Sequence, residues 1–194
     1  MSDNHGREAA WEVLGKHIKS ESLLRHAMAV EAVMRHFARL LDINEEEKWG
    51  VIGLLHDIDF EEYPDQHCHK VRGILEGDGW PEEYIRAIES HGYRLVNDVA
   101  PVHTMEKVLY ATDELTGLIA ATAILRPSKS LFDLEVKSVK KKWKQKGFAA
   151  GVNREVIDEG AAMLGMDIDY IIEQTIAGMQ AVARELGLKG DVPV

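Results

Sequence analysis

The chain carries a histidine and an aspartate side by side at the end of an apolar run, Val51-Ile52-Gly53-Leu54-Leu55-His56-Asp57. Desolvating a carboxylate is costly unless a cation or hydrogen-bond donors compensate. A divalent metal ion compensates well, and imidazole beside carboxylate is an ordinary ligand combination for zinc, manganese, iron, cobalt or nickel. Two further residues suit the same chemistry. His26 falls in line with Val30, Val33 and Phe37, and Asp113 with Leu109, Gly117 and Ala120, so helical spacing turns both inward. Taken singly, each has an ordinary structural explanation: a hydrogen-bonded core histidine, an ion-paired aspartate, a helix end. Their coincidence, in the order His, His-Asp, Asp, points to a metal centre.

The elements that must position these groups read as helices almost throughout, with little β-type alternation. A first helix is expected from about Arg7 to Lys19. A second carries Leu23, Ala27, Val30, Met34, Phe37 and Leu41 at spacings of three and four and ends near Asp42. Asn44 with Glu47 reads as a capping-box start for the helix that leads into His56-Asp57. A polar stretch from Glu61 to Gln66 precedes a short helix ending at Gly77-Asp78-Gly79. Pro81 opens another as its first helical residue, finishing at His91-Gly92. A long apolar helix from about Met105 to Leu125 bears Asp113 and is stopped by Pro127. A basic helix from about Leu131 to Lys146 follows. Asn153 and Asp167 are expected to cap the last two helices, the final one running its apolar face from Ile168 to Leu186. The expectation is an all-α fold: one domain, a bundle of about eight helices, with the core of the site within about 22–125 and the helices of 126–194 packed on it.

At this point the chain resembles the HD-domain metal-dependent phosphohydrolases, whose signature is a histidine on one helix, a His-Asp doublet ending another, and an aspartate on a later helix. The matching residues are His26, His56-Asp57 and Asp113. More narrowly, Leu54-Leu55-His56-Asp57, Asp113-Glu114-Leu115-Thr116-Gly117-Leu118-Ile119 and Arg126-Pro127-Ser128-Lys129-Ser130 are similar to an uncharacterised subgroup of predicted HD hydrolases. The resemblance implies that these four residues hold one divalent ion (Mn, Fe, Co, Ni, Mg or Zn) and leave positions open for water and substrate, with Asp57 at the reacting centre. Some HD relatives bind a second metal through two histidines between the doublet and the last aspartate. His69 and His91 sit where those would fall, His67 and His69 being equally readable as surface residues of a polar loop. Without a second metal, His91 becomes a candidate acid or phosphate-contacting group. Where many relatives follow the doublet with Ile-Gly and a lysine, this chain has Ile58-Asp59-Phe60. Asp59 would repel a phosphate if it faced the site, or it points to solvent.

Charge is unevenly distributed. Of the net −10, the segment from Arg126 to Lys146 holds eight basic against two acidic residues, a local +6, and the rest holds 15 against 31, or −16. On the basic helix Phe132, Val136, Val139 and Trp143 share one face, and Lys137, Lys140, Lys141 and Lys144 another. Those lysines are either a solvated surface or, with Lys129, Ser130 and Lys137 foremost, a phosphate cradle at a helix N-terminus. An acidic chain with one basic segment is a poor candidate for nucleic-acid binding and a better one for a small phosphorylated substrate.

Apolar content of 45% and charged content of 29% over 194 residues are those of a globular domain. No apolar run has the roughly 20 residues of a membrane helix, and the polar stretch Met1 to Arg7 resembles no signal peptide. The single cysteine, Cys68, permits no internal disulfide. A cytoplasmic, reducing location is therefore expected. The leading expectation is a phosphohydrolase acting on a small phosphate ester, a nucleotide among the candidates. A di-iron HD-type oxygenase and a non-catalytic metal- or nucleotide-binding regulatory module are the alternatives.

Overall fold

The structure, a computed structural model, describes residues 5–145 and 147–191. Among them are nine α-helices and no strand. They are α1 (Arg7–His17), α2 (Glu21–Leu41), α3 (Glu46–Leu55), α4 (Val71–Gly77), α5 (Glu82–Glu89), α6 (Thr104–Ile124), α7 (Val136–Trp143), α8 (Arg154–Leu164) and α9 (Ile168–Gln180). No helix is long and apolar enough to cross a membrane among the described residues.

The two 21-residue helices, α2 and α6, form the centre. α3 lies along α2, α8 lies along α6, and α9 packs across both. The stripe read on α2 is buried at Ala27, Val30, Met34 and Phe37, while Leu41 emerges at the helix end. Buried apolar residues form one cluster from Ala10 to Leu188. α3 can press close to α2 because position 53 is glycine: a Cβ there would lie 3.0 Å from the Val30 carbonyl oxygen. This approach brings the end of α3 beside His26.

Several boundaries differ from the sequence expectation. Asn44 does not cap α3; Ile43–Glu45 form a short 3₁₀ turn and α3 begins at Glu46 without a side-chain cap. Pro81 lies just outside α5, as its N-cap residue. The basic helix is shorter than expected. Before it, the Leu131 N–H donates to the Leu188 carbonyl and Arg126 binds the Asp133 carboxylate at 2.9 Å, which holds 131–135 in turns. Its expected end, Lys146, lies outside the described residues, as do Met1–Asn4. α9 ends at Gln180, although Leu186 remains buried in the turns that follow. Asn153 and Asp167 cap α8 and α9 as expected, each accepting from the backbone of the first turn.

Candidate metal centre

Four histidines and two aspartates converge where α2, α3 and α6 meet the segment 56–70 and the 3₁₀ turn Ser90–Gly92. His26 comes from α2, His56 is the residue that ends α3, and Asp113 comes from the middle of α6. His26 Nε2 lies 3.1 Å from His56 Nε2 and 2.9 Å from Asp113 Oδ1. His56 Nε2 is 3.3 Å from Asp113 Oδ1 and 3.3 Å from Asp57 Oδ2. On the other side of Asp57, its Oδ1 lies 3.4 Å from both His67 Nε2 and His91 Nε2, which are 3.1 Å from each other. Asp57 therefore gives one oxygen to each of two donor groups.

The proton positions imposed by the surroundings favour metal over hydrogen bonds between the rings. His56 Nδ1 donates to the Gly53 carbonyl at 2.8 Å, His91 Nδ1 to the Ile88 carbonyl, and His67 Nδ1 to Asp59 Oδ1 at 2.9 Å. Thr116 spends its hydroxyl proton on the Asp113 carbonyl and so accepts from His26 Nδ1 at 3.4 Å. Each ring with Nδ1–H turned outward presents the Nε2 lone pair to the centre. Facing lone pairs 3.1 Å apart need a proton or a metal ion between them. The donor set, imidazoles plus carboxylates with outer hydrogen bonds in place, fits a divalent ion.

The electrostatics express the same demand for positive charge. Burial pushes His56 down, but the Asp57 and Asp113 carboxylates outweigh it and lift it to about 10. Burial likewise opposes His67, which its bond to Asp59 raises to about 9. Despite their burial, Asp57 and Asp113 are held below the ordinary carboxylate range, chiefly by His56. In the metal-free cluster protons supply what a cation would supply, and metal must displace them.

His69, expected as a ligand, is exposed and stands outside the cluster; His67 takes the place. The cause is Asp59. Its side chain is fully buried and accepts from His67 Nδ1 and from the Lys70 N–H at 3.1 Å, which fixes the loop with residue 67 inward. Asp59 thus points neither at a substrate nor at solvent. Cys68, also missed from the sequence, is buried with its sulfur against His67 and His91. Burial pushes its thiol up, but the neighbouring His91 and His67 outweigh this and bring it to about 7.

The cluster opens into a cleft of 260 Å³ lined by Phe60, Leu95, Val96, Gly92, Glu114 and Gly117 beside the ligand side chains. No lysine or arginine lines it among the described residues. Of the expected anion-binding groups, Lys129 is exposed at φ 47°, and Lys137 is exposed and pairs with Glu135. Ser130 is buried and turned away, donating to the Lys189 carbonyl at 2.6 Å and accepting from the Phe132 N–H. These three residues thus lie outside the cleft lining. Glu114, adjacent to Asp113 and not singled out from the sequence, accepts from the Asn153 N–H at 3.2 Å, and burial raises its carboxyl. A larger hollow of 630 Å³ between α3, α5 and the start of α6 contains none of the cluster's residues.

The chain is therefore an all-helical protein with a His/Asp cluster that could hold metal, and no protein-family model, curated protein or solved structure matches it.

Proposed function

We propose that the chain is a metal-dependent phosphohydrolase of the HD type, acting on a small phosphate monoester. The observation that carries this reading is Asp57, with one oxygen toward each of two converging imidazole pairs on the floor of an accessible cleft. A divalent ion bound there would act as a Lewis acid toward a phosphoryl oxygen and bring the ionisation of water near neutral pH. The residues of the chain do the rest. His26, His56, Asp57 and Asp113 hold the charge that binds the ion, and their outer hydrogen bonds fix each ring. Glu114 lies in the same cleft, where it can hand a proton to a departing alkoxide. Phe60, Leu95 and Val96 form an apolar rim that suits the organic part of an ester and excludes water from it.

The cleft's size and the lack of a lysine or arginine among its described lining residues favour a compact monoester over a nucleoside di- or triphosphate, whose extra charges would find no cationic partner among them. The test is metal content of protein purified without chelator, followed by phosphate release from a panel of monoesters and nucleotides. Turnover of a monoester that disappears in Asp57→Ala, with the helical circular dichroism unchanged, is the expected result. Full turnover in Asp57→Ala would sink the reading. A bridging carboxylate between two sites also suits di-iron oxygen chemistry, the second reading. Two irons per chain and substrate-dependent oxygen uptake without phosphate release would move the assignment there.

A further inference from the structure

We infer that Cys68 joins His67 and His91 as a donor of a second metal site, one that takes a thiophilic ion such as zinc rather than magnesium or manganese. This rests on the reading of the cluster as a metal centre and adds the identity of one of its ions.

The distances argue for it. Zinc bound to nitrogen, sulfur and oxygen at their usual lengths has tetrahedral edges of about 3.3 Å between nitrogens, about 3.6 Å between nitrogen and sulfur, and about 3.4 Å between nitrogen and oxygen. In the structure the two Nε2 atoms are 3.1 Å apart. Cys68 Sγ lies 3.4 Å from His67 Nε2 and 3.6 Å from His91 Nε2. Asp57 Oδ1 lies 3.4 Å from each nitrogen. The two ring nitrogens and the sulfur thus lie within reach of one ion before any is bound.

Hydrogen bonding alone serves these groups less well. A thiol has one proton and faces two ring nitrogens, so it can satisfy only one of them. An ion satisfies both nitrogens and the sulfur together, the thiol releasing its proton to solvent as the metal–sulfur bond forms. The packing also holds the sulfur in place. Cys68 is 2% exposed, and a Cβ on Gly92 would lie 2.7 Å from its sulfur, so glycine lets the turn bearing His91 close over it. Thiolate selects softer ions, whereas carboxylates and water suit magnesium and manganese.

Cobalt(II) substitution tests this without an assay of turnover. Wild-type protein loaded with cobalt should show a near-ultraviolet thiolate-to-cobalt charge-transfer band. Cys68→Ser should retain bound cobalt but lose the charge-transfer band, and His26→Ala should keep it. Wild-type protein that binds cobalt with no thiolate band would overturn the inference and leave the metal-dependent reading standing. Wild-type protein that binds no cobalt, zinc or manganese would overturn both. Because the decisive spectrum is that of the wild type, misfolding of a variant cannot rescue the idea.

Discussion

Asp59 touches no candidate substrate position, yet it decides which histidine of the 67–69 loop enters the site. Its buried carboxylate fixes His67 Nδ1–H and the backbone beyond it. Outer partners of metal-binding imidazoles typically contribute about 10- to 100-fold in affinity. Asp59→Asn should weaken zinc binding at the His67 and His91 group by roughly that factor, read by competition with a chromophoric chelator, and leave the Nδ1 partners of His26 and His56 untouched. An unchanged affinity would show that His67 is not a ligand. The doublet, His26 and Asp113 were legible in the sequence because helical spacing alone sets their direction. His67 was not, because residues 61–70 form a loop with no period to read, and its inward turn depends on a long-range contact with Asp59. Cys68 adopts φ 63° in that loop, a conformation that no pattern of neighbours announces.

At the scale of elements, α6 must be set accurately because it delivers Asp113. Two features set it. Its first turn is held by Glu106, which is buried and accepts from Arg86 and from the backbone N–H groups of Val102 and His103. Burial pushes the Glu106 carboxyl up, but these donors outweigh it and hold it below the ordinary 4.5. A depressed carboxylate contributes stability that is present above its unfolded value and is lost as pH falls through the folded one. Glu106→Gln should therefore cost stability at neutral pH by about 1–3 kcal/mol. It should also flatten the loss of stability on acidification below about pH 4.5, measured by urea unfolding across pH. Equal acid sensitivity in both proteins would refute this account.

The second feature is Gly160 on α8. A Cβ there would lie 2.6 Å from the Ala111 Cα, backbone against backbone, two residues before Asp113. Gly160→Ala should cost about 1–3 kcal/mol through overpacking, visible as a lower melting temperature. An unchanged melting temperature would mean that the two helices can separate freely. Helix existence was legible here from apolar spacing, and the caps at Asn153 and Asp167 from their residue types. The late start of α7 was not, since it follows from hydrogen bonds to residues 188 and 189, far along the chain.

For the whole molecule, the cluster joins α2, the end of α3, the loop at 67–68, the turn at 90–92 and α6, so a bound ion ties together segments distant in sequence. An ion that binds only the folded chain stabilises it by about 2.7 kcal/mol at a hundred times its dissociation constant. For a chain of this length that corresponds to a melting temperature higher by roughly 5–10 °C. Scanning calorimetry with added zinc or manganese against excess chelator checks it, and coincident transitions would speak against a metal centre. The all-α architecture was readable from composition and period. The place of the basic segment was not: Lys137 and Lys140 meet Glu135 and Asp169, so pairing on the surface absorbs charges that a linear reading offers to a substrate.

Because Asp57 divides its two oxygens between the donor groups, ions bound at both could not fill them independently. An ion on one oxygen withdraws negative charge from the other and repels a second dication, so the second ion should bind more weakly than the first. Thermodynamic reciprocity requires that each ion lower the other's affinity by the same factor. A calorimetric titration should show two unequal steps, and Asp57→Asn should bring them closer together by removing the shared charge. The resting occupancy would then be set by metal availability: one ion when metal is scarce, two only when it is plentiful.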